Sequence, residues 1–320
     1  MNIAVTGGTG FMGSHLTQRL AEDGHQVVVI SRGQDGRNRD RLDHEHVRFV
    51  ETSVADEAGL AEAVAGCDAI AHLAGISFER GMQTFNAVHV EGTLNVLEAA
   101  TKAGVSKVLL SSFLRARPNC GSAYHETKWT AERLVRRSGL DYTVCKIGVT
   151  YGQGDHLLSS LSRALSTAPV FANVGFASRP VVPLAIDDLL DVFVASLVDD
   201  RLSETTVPVV GPEELSLDEL VGRIGAVVGT DPYVVPVPVT AHRLGARIQE
   251  RILDVPLTSR AQVQMLAEGL AEPAPMTVCD PLPADLEPER SFTHKRIAAS
   301  LPERDRFGLQ DLRLPALLAR

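Results

Sequence analysis

Thr6-Gly7-Gly8-Thr9-Gly10-Phe11-Met12-Gly13, close to the start of the chain, decides the fold. An apolar run with strand character, Asn2–Thr6, leads into it, and a helical pattern over Phe11–Asp23 leads out. Gly7 and Gly10 remove the Cβ atoms that would keep a pyrophosphate away from the backbone, and Gly13 lets the helix pack closely on the strand. The helix start then offers free N–H groups, among them those of Phe11 and Met12, and a partial positive charge. Strand, glycine turn and helix in that order predict a dinucleotide cradle formed by Gly7, Thr9, Gly10, Phe11 and Met12.

Outward from the cradle the chain alternates strand and helix. Strands are expected at Gln26–Ser31, Val47–Glu51, Ala69–Leu73, Lys107–Ser111 and Thr143–Val149, with helices at Glu57–Val64, within Val88–Ala103, and at Tyr124–Ser138. These strands are continuous apolar runs, so both faces of their sheet should be covered by helices. The expected fold class is α/β, a doubly wound parallel sheet of the Rossmann kind. Residues 1–155 should bind NAD(P), completed by about 181–211 through a helix at Asp187–Leu197 and a strand at Thr206–Val210. Residues 156–180 and 212–320 should form a smaller C-terminal substrate lobe.

The end of the second strand bears on the cofactor. An NAD-preferring protein usually carries an acidic residue there for the ribose hydroxyls. This chain reads Ser31-Arg32, with Arg37, Arg39 and Arg41 close behind, and no carboxylate at that point. A guanidinium suits a 2′-phosphate. NADP(H) is therefore favoured, with NAD(H) the alternative.

Tyr124-His125-Glu126-Thr127-Lys128 sets a phenol and an ammonium one helical turn apart on one face. A nearby cation favours the phenolate, which fits Tyr124 for general acid–base work, while Lys128 can also bond the nicotinamide ribose. A hydroxyl at the end of the fifth strand would complete the set, and Ser111-Ser112 supplies two.

The 320 residues carry 31 Lys and Arg against 40 Asp and Glu, a net charge of −9, which disfavours a broad nucleic-acid surface. No apolar run is long enough for a membrane span, and no leader pattern opens the chain. Four scattered cysteines without a C-x-x-C pair suggest free thiols and a cytoplasmic location. His72 lacks a second ligand at a suitable spacing, so no metal site is expected.

Together the G-x-x-G-x-x-G loop, Tyr124-x-x-x-Lys128 and Gly148-Val149-Thr150-Tyr151-Gly152-Gln153-Gly154-Asp155 resemble the extended or atypical short-chain dehydrogenase/reductases, the NAD-dependent epimerase/dehydratase family. The clear resemblance spans about 2–229. It implies Ser112, Tyr124 and Lys128 as the catalytic set, with Ser111 in reserve. It implies cofactor contacts from Ser53 and Val54, from Leu73, Ala74 and Gly75, and from Ile147, where Lys146-Ile147 replaces the family's Arg-Pro. It also places aspartates Asp187 and Asp188 as caps of the returning helix, and implies a homodimer through the two central helices.

Departures narrow the resemblance. His89 stands where relatives usually carry Asn, Ser53 where they carry Asp, and the loop after Ser112 lacks the usual V-Y-G. This is similar to the branch of the NADPH-binding accessory subunit of respiratory complex I. The expected activity is hydride transfer at a carbon bearing a hydroxyl or carbonyl, on a small-molecule substrate. The alternative is a non-catalytic protein in which NADPH is structural or a redox signal.

Overall fold

The computed structural model describes residues 1–33, 38–177, 179–253 and 258–301. Arg37 and the last part of the lobe, 302–320, lie outside the described residues. Strands β1 (Asn2–Thr6), β2 (Gln26–Ser31), β3 (Val47–Glu51), β4 (Ala69–His72), β5 (Lys107–Phe113) and β6 (Asp141–Ile147) form one sheet with a seventh strand, Thr205–Val209. All pairs are parallel, in the order Thr205–Val209, β6, β5, β4, β1, β2, β3. The connection reverses direction between β1 and β4, where Thr6 lies beside His72. That reversal opens a crevice at the carboxyl ends of the strands, and the glycine turn leaves β1 there.

Side chains alternate across the sheet, and both faces are buried. Ile3 and Val5 join Leu16 and Leu20 of helix α1 (Phe11–Glu22) and Leu189 and Phe193 of helix Ile186–Leu197. Ala4 and Ile70 face the other way, onto Leu60, Val96 and Val135 of helices Glu57–Val64, Gly92–Ala103 and Ala123–Arg136. The two-residue period thus explains why the strands read as unbroken apolar runs. A third core, with Phe113, Tyr151, Leu220, Ile224 and Phe292, fixes the C-terminal elements over the carboxyl edge. Those elements include helices Leu217–Val228 and Arg260–Glu268; a smaller core of Val174, Ala246 and Val263 joins helix Val239–Ile252 to the parallel pair Val170–Val174 with Tyr233–Val237.

The helix expected within Val88–Ala103 is the α-helix Gly92–Ala103, preceded by Asn86–Glu91 wound as a π-helix. Val54 presses on Gly92, where an added Cβ would come within 2.6 Å of its Cγ2, and Thr93 Oγ1 donates to His89 O at 2.6 Å. One expectation needs correcting: Asp187 and Asp188 do not cap the returning helix. It starts at Ile186 with Ala185 as cap, and Asp188 instead takes the Arg290 backbone N–H at 3.0 Å and its guanidinium. That pairing ties the C-terminal segment to the sheet.

Candidate active site

The glycine loop is built for close approach. Gly7 sits at φ +70, and a Cβ there would come within 2.9 Å of Ala74 Cα and N. A Cβ on Gly13 would lie 2.3 Å from Gly7 O, so the helix can only start this close to β1 with glycine at that position. Gly10 caps α1 without a side-chain bond, which leaves first-turn N–H groups for a ligand. The residues present fit a dinucleotide's diphosphate.

Around the loop lies a set of polar ties that the sequence did not suggest. Thr9 Oγ1 and Ser31 Oγ share a 2.7 Å hydrogen bond, and Asn38 Nδ2 donates to Thr9 O at 2.9 Å. Arg41 donates to Asn38 Oδ1 and to Gln153 Oε1, both at 2.9 Å, and His15 Nε2 donates to Gln153 O at 2.9 Å. Arg41 thus braces the loop. Arg32 is exposed just past β2. The expectation of no carboxylate there is corrected: Glu51 pairs with Ser31 across the sheet, and its Oε1 lies 3.9 Å from the position of a Cβ on Gly33. A residue on the neighbouring strand escapes a reading that follows one strand at a time.

The ends of β3 and β4 complete the crevice floor. Ser53 Oγ accepts from Ala55 N at 3.2 Å, and Val54 O accepts from Asn95 Nδ2 at 2.9 Å. His72 is buried between Thr6 Oγ1 at 2.7 Å and Thr93 Oγ1 at 3.0 Å. Thr93 donates to His89 O, so its oxygen accepts from His72 Nε2–H and Thr6 donates to Nδ1. Burial, with Lys128 nearby, holds the His72 imidazole down at about 3, so it is a neutral structural relay. His89 Nε2 accepts from Ile76 N at 3.1 Å, which leaves Nδ1–H for Thr127 Oγ1 at 3.0 Å. Burial and Lys128 hold His89 at about 2. It therefore does the accepting and donating of an Asn amide.

Tyr124 and Lys128 both rise from the first turns of helix Ala123–Arg136. The Tyr124 ring stands edge-on to Phe85 (5.6 Å), His89 (5.5 Å) and Phe113 (5.5 Å). Burial in this aromatic box raises the phenol to about 12, which keeps it protonated at neutral pH. Lys128 is 8% exposed; its Nζ donates to Ser111 O at 3.1 Å and lies 3.2 Å from the position of a Cβ on Gly75. Burial pulls its amine down to about 8, with Glu132 opposing.

The two serines at the end of β5 divide. Ser112 Oγ donates to Glu132 Oε1 at 2.6 Å, and the same oxygen takes Lys146 Nζ at 2.7 Å, all of it buried. Ser111 is half-buried, and its Oγ lies 4.0 Å from Met12 Sδ of the glycine loop. Gly7, Met12, Ala74, Gly75, Ser111 and Lys128 are thus brought together at one edge, whereas Ser112 is turned into a charge cluster. A buried Glu–Lys pair on facing elements has no local sequence signature. Among the described residues no group of three His, Cys, Asp or Glu can hold a metal ion, and all four cysteines are free. No described helix is long and apolar enough to cross a membrane.

A parallel sheet with this loop at its switch point and a Tyr–Lys pair on the next edge defines a pyridine-dinucleotide-binding protein of the short-chain dehydrogenase kind. The family model "NAD dependent epimerase/dehydratase family" matches residues 3–204, and the chain belongs to that family. A ceramide reductase of Caulobacter vibrioides is 28% identical over 241 residues, covering 74% of this chain and 73% of that protein. The 40 kDa subunit of Neurospora crassa mitochondrial NADH-ubiquinone oxidoreductase is 25% identical, covering 68% and 57%. The uncharacterized protein Rv2047c of Mycobacterium tuberculosis is 26% identical over 70% of this chain, which spans only 23% of that protein's length. In fold, the chain is similar to the UDP-glucose 4-epimerase of Thermus thermophilus, solved with NAD, at a TM-score of 0.68 and 20% identity, covering 94% and 97%.

Proposed function

We propose that the chain is an NAD(P)-dependent oxidoreductase acting at a carbon that bears a hydroxyl or carbonyl. The observation that carries this reading is Lys128: a buried ammonium that donates to one backbone carbonyl, set against Gly75 and one turn from the half-buried Tyr124 phenol. When bound, the dinucleotide supplies or accepts the hydride. Gly7, Thr9, Gly10, Phe11 and Met12 hold its diphosphate, and Leu73, Ala74 and Ile147 line the way to the reacting edge. Ser53 and Val54 lie toward its adenine end. Lys128 binds the ribose hydroxyls one helical turn from Tyr124. Tyr124 exchanges the proton with the substrate oxygen, starting as the acid. Ser111 is the better placed hydroxyl to orient that oxygen, because Ser112 already donates to Glu132.

NADP(H) over NAD(H) is supported by Arg32 and opposed by Glu51, and Arg32 is the residue to test. Residues 1–155 with about 181–211 serve the dinucleotide; 156–180 and 212–320 serve the substrate. Free thiols suit a cytoplasmic setting. The likeness to a ceramide reductase supports carbonyl reduction; the engaged Ser112 favours the second reading, in which the dinucleotide is structural. Tyr124→Phe decides between them. If the variant still binds dinucleotide but loses turnover on a panel of ketones at least 100-fold, the enzyme reading holds. Failure of the unaltered protein to turn over any ketone while binding dinucleotide would establish the second.

A further inference from the structure

The space beyond Tyr124 is walled mostly by apolar side chains. A cavity of about 590 Å³ runs from Met12, Ser111 and Ile147 into the C-terminal lobe. Its inner walls are Leu161, Phe171, Val181, Leu217, Leu220 and Leu266. Among its described lining residues there is no Arg, Asp or Glu. His242 Nε2 donates to Asn173 O at 3.0 Å, and the one cation among those residues, Lys128, lies at the dinucleotide edge beside Ser111 and Gly75 rather than among the inner walls. Arg115 and Arg117, on the loop after β5, face Glu268 instead, at 3.6 and 2.7 Å.

Tyr124 stands between this cavity and a second, of about 720 Å³, whose lining is polar and carries Arg243, Arg247 and Arg260 with Glu79 and Glu250. There Arg260 is held by Glu250 at 2.8 Å and Arg243 donates to Gln264. The phenol therefore lines both a largely apolar cavity and a polar one.

A nucleoside diphosphate placed in the interior would lose its water with no guanidinium to replace it, which is strongly unfavourable. An alkyl chain there would gain from every methylene removed from water. We infer that the substrate is an amphiphile, a ketone or secondary alcohol on a lipid-like chain that fills the apolar cavity while its polar end lies toward the polar one. This rests on the oxidoreductase reading above and names its substrate class. In the reducing direction a reduced pyridine dinucleotide gives a hydride and its electron pair to the carbonyl carbon. The C=O π bond breaks toward oxygen, Tyr124 gives that oxygen its proton and takes one back from solvent, and the oxidised dinucleotide is released.

The test is displacement of the neutral fluorophore N-phenyl-1-naphthylamine by alkan-2-ones of six to twelve carbons, with dinucleotide binding titrated separately. Affinity should rise about fourfold per methylene until the chain fills the space. Ala164→Trp, which places a ring on the cavity wall, should weaken dodecan-2-one at least tenfold without moving dinucleotide affinity. Leu220→Gln should flatten the series in the same way. A flat response to chain length, or displacement of the fluorophore by UDP-glucose but not by dodecan-2-one, overturns the inference and leaves the oxidoreductase reading in place. A rising series in a protein that binds neither dinucleotide keeps the inferred cavity and removes the catalysis.

Discussion

Lys128 and Lys146 are both buried, on neighbouring elements at one end of the sheet, and they have opposite uses. Lys146 is fully buried and meets Glu132 Oε1 at 2.7 Å and Ala116 O at 3.2 Å. Its charge is matched, and Ser112 is drawn into the same cluster. Lys128 bonds one carbonyl and faces the crevice floor at Gly75. An unmatched buried ammonium is costly, and a fold keeps one where a ligand will complete its bonding. The contrast separates a structural ion pair from the lysine proposed to hold the dinucleotide.

The largest effect is expected at the matched lysine. Glu132→Ala strands the Lys146 charge and should cost roughly 3–5 kcal/mol in denaturant unfolding. The double variant Glu132→Leu, Lys146→Met should recover most of it. A single variant that unfolds no more readily than the parent would erase the contrast.

At the other lysine the sign reverses. With a folded pKa of about 8 against 10.5 for the free side chain, Lys128 carries a penalty of about 3 kcal/mol. The penalty is constant below pH 8 and is relieved as pH rises from 8 to 10.5, because only the unfolded chain then binds the proton. Lys128→Met should therefore stabilise the ligand-free protein at pH 7 and lose that advantage by pH 10.5, while weakening dinucleotide binding. Equal denaturation midpoints for the two proteins at pH 7 would show that Lys128 carries no such penalty.

His89 offers a finer probe. Its folded pKa of about 2 lies below the unfolded value, so the stability it supports is present above about pH 6.5 and drains away as pH falls. His89→Asn keeps one acceptor and one donor, and should reduce the acid slope by about 1.4 kcal/mol per pH unit below pH 6. An unchanged slope would mean the imidazole protonates in place. Smallest of all, Arg32→Ala should weaken NADPH about tenfold relative to NADH, given a charge-assisted bond worth roughly 1.5 kcal/mol. No change in that ratio would leave Glu51 as the controlling charge.

The sequence made the cofactor half legible and the lobe nearly opaque. Strands β1, β2 and β3 were readable to the residue, because glycine turns and unbroken apolar runs mark a parallel sheet locally. Gly7, Met12, Gly75, Tyr124 and Lys128 follow from that frame, since the fold puts strand ends side by side. What stayed hidden depends on contacts between distant segments. Glu51 reaches Gly33 from the neighbouring strand, Glu132 captures Ser112 and Lys146 from the next helix, and Asp188 waits for Arg290. The apolar cavity is of the same kind, since its walls come from helices and short strands scattered from 161 to 270. Each reads alone as an ordinary amphipathic piece.

The most direct measurement is calorimetric titration of the unaltered full chain with NADP+ and, separately, NAD+. Saturable one-to-one binding of at least one of them is expected, with a matching rise in thermal midpoint. Absence of heat and of any midpoint change with both nucleotides at millimolar concentration would contradict it.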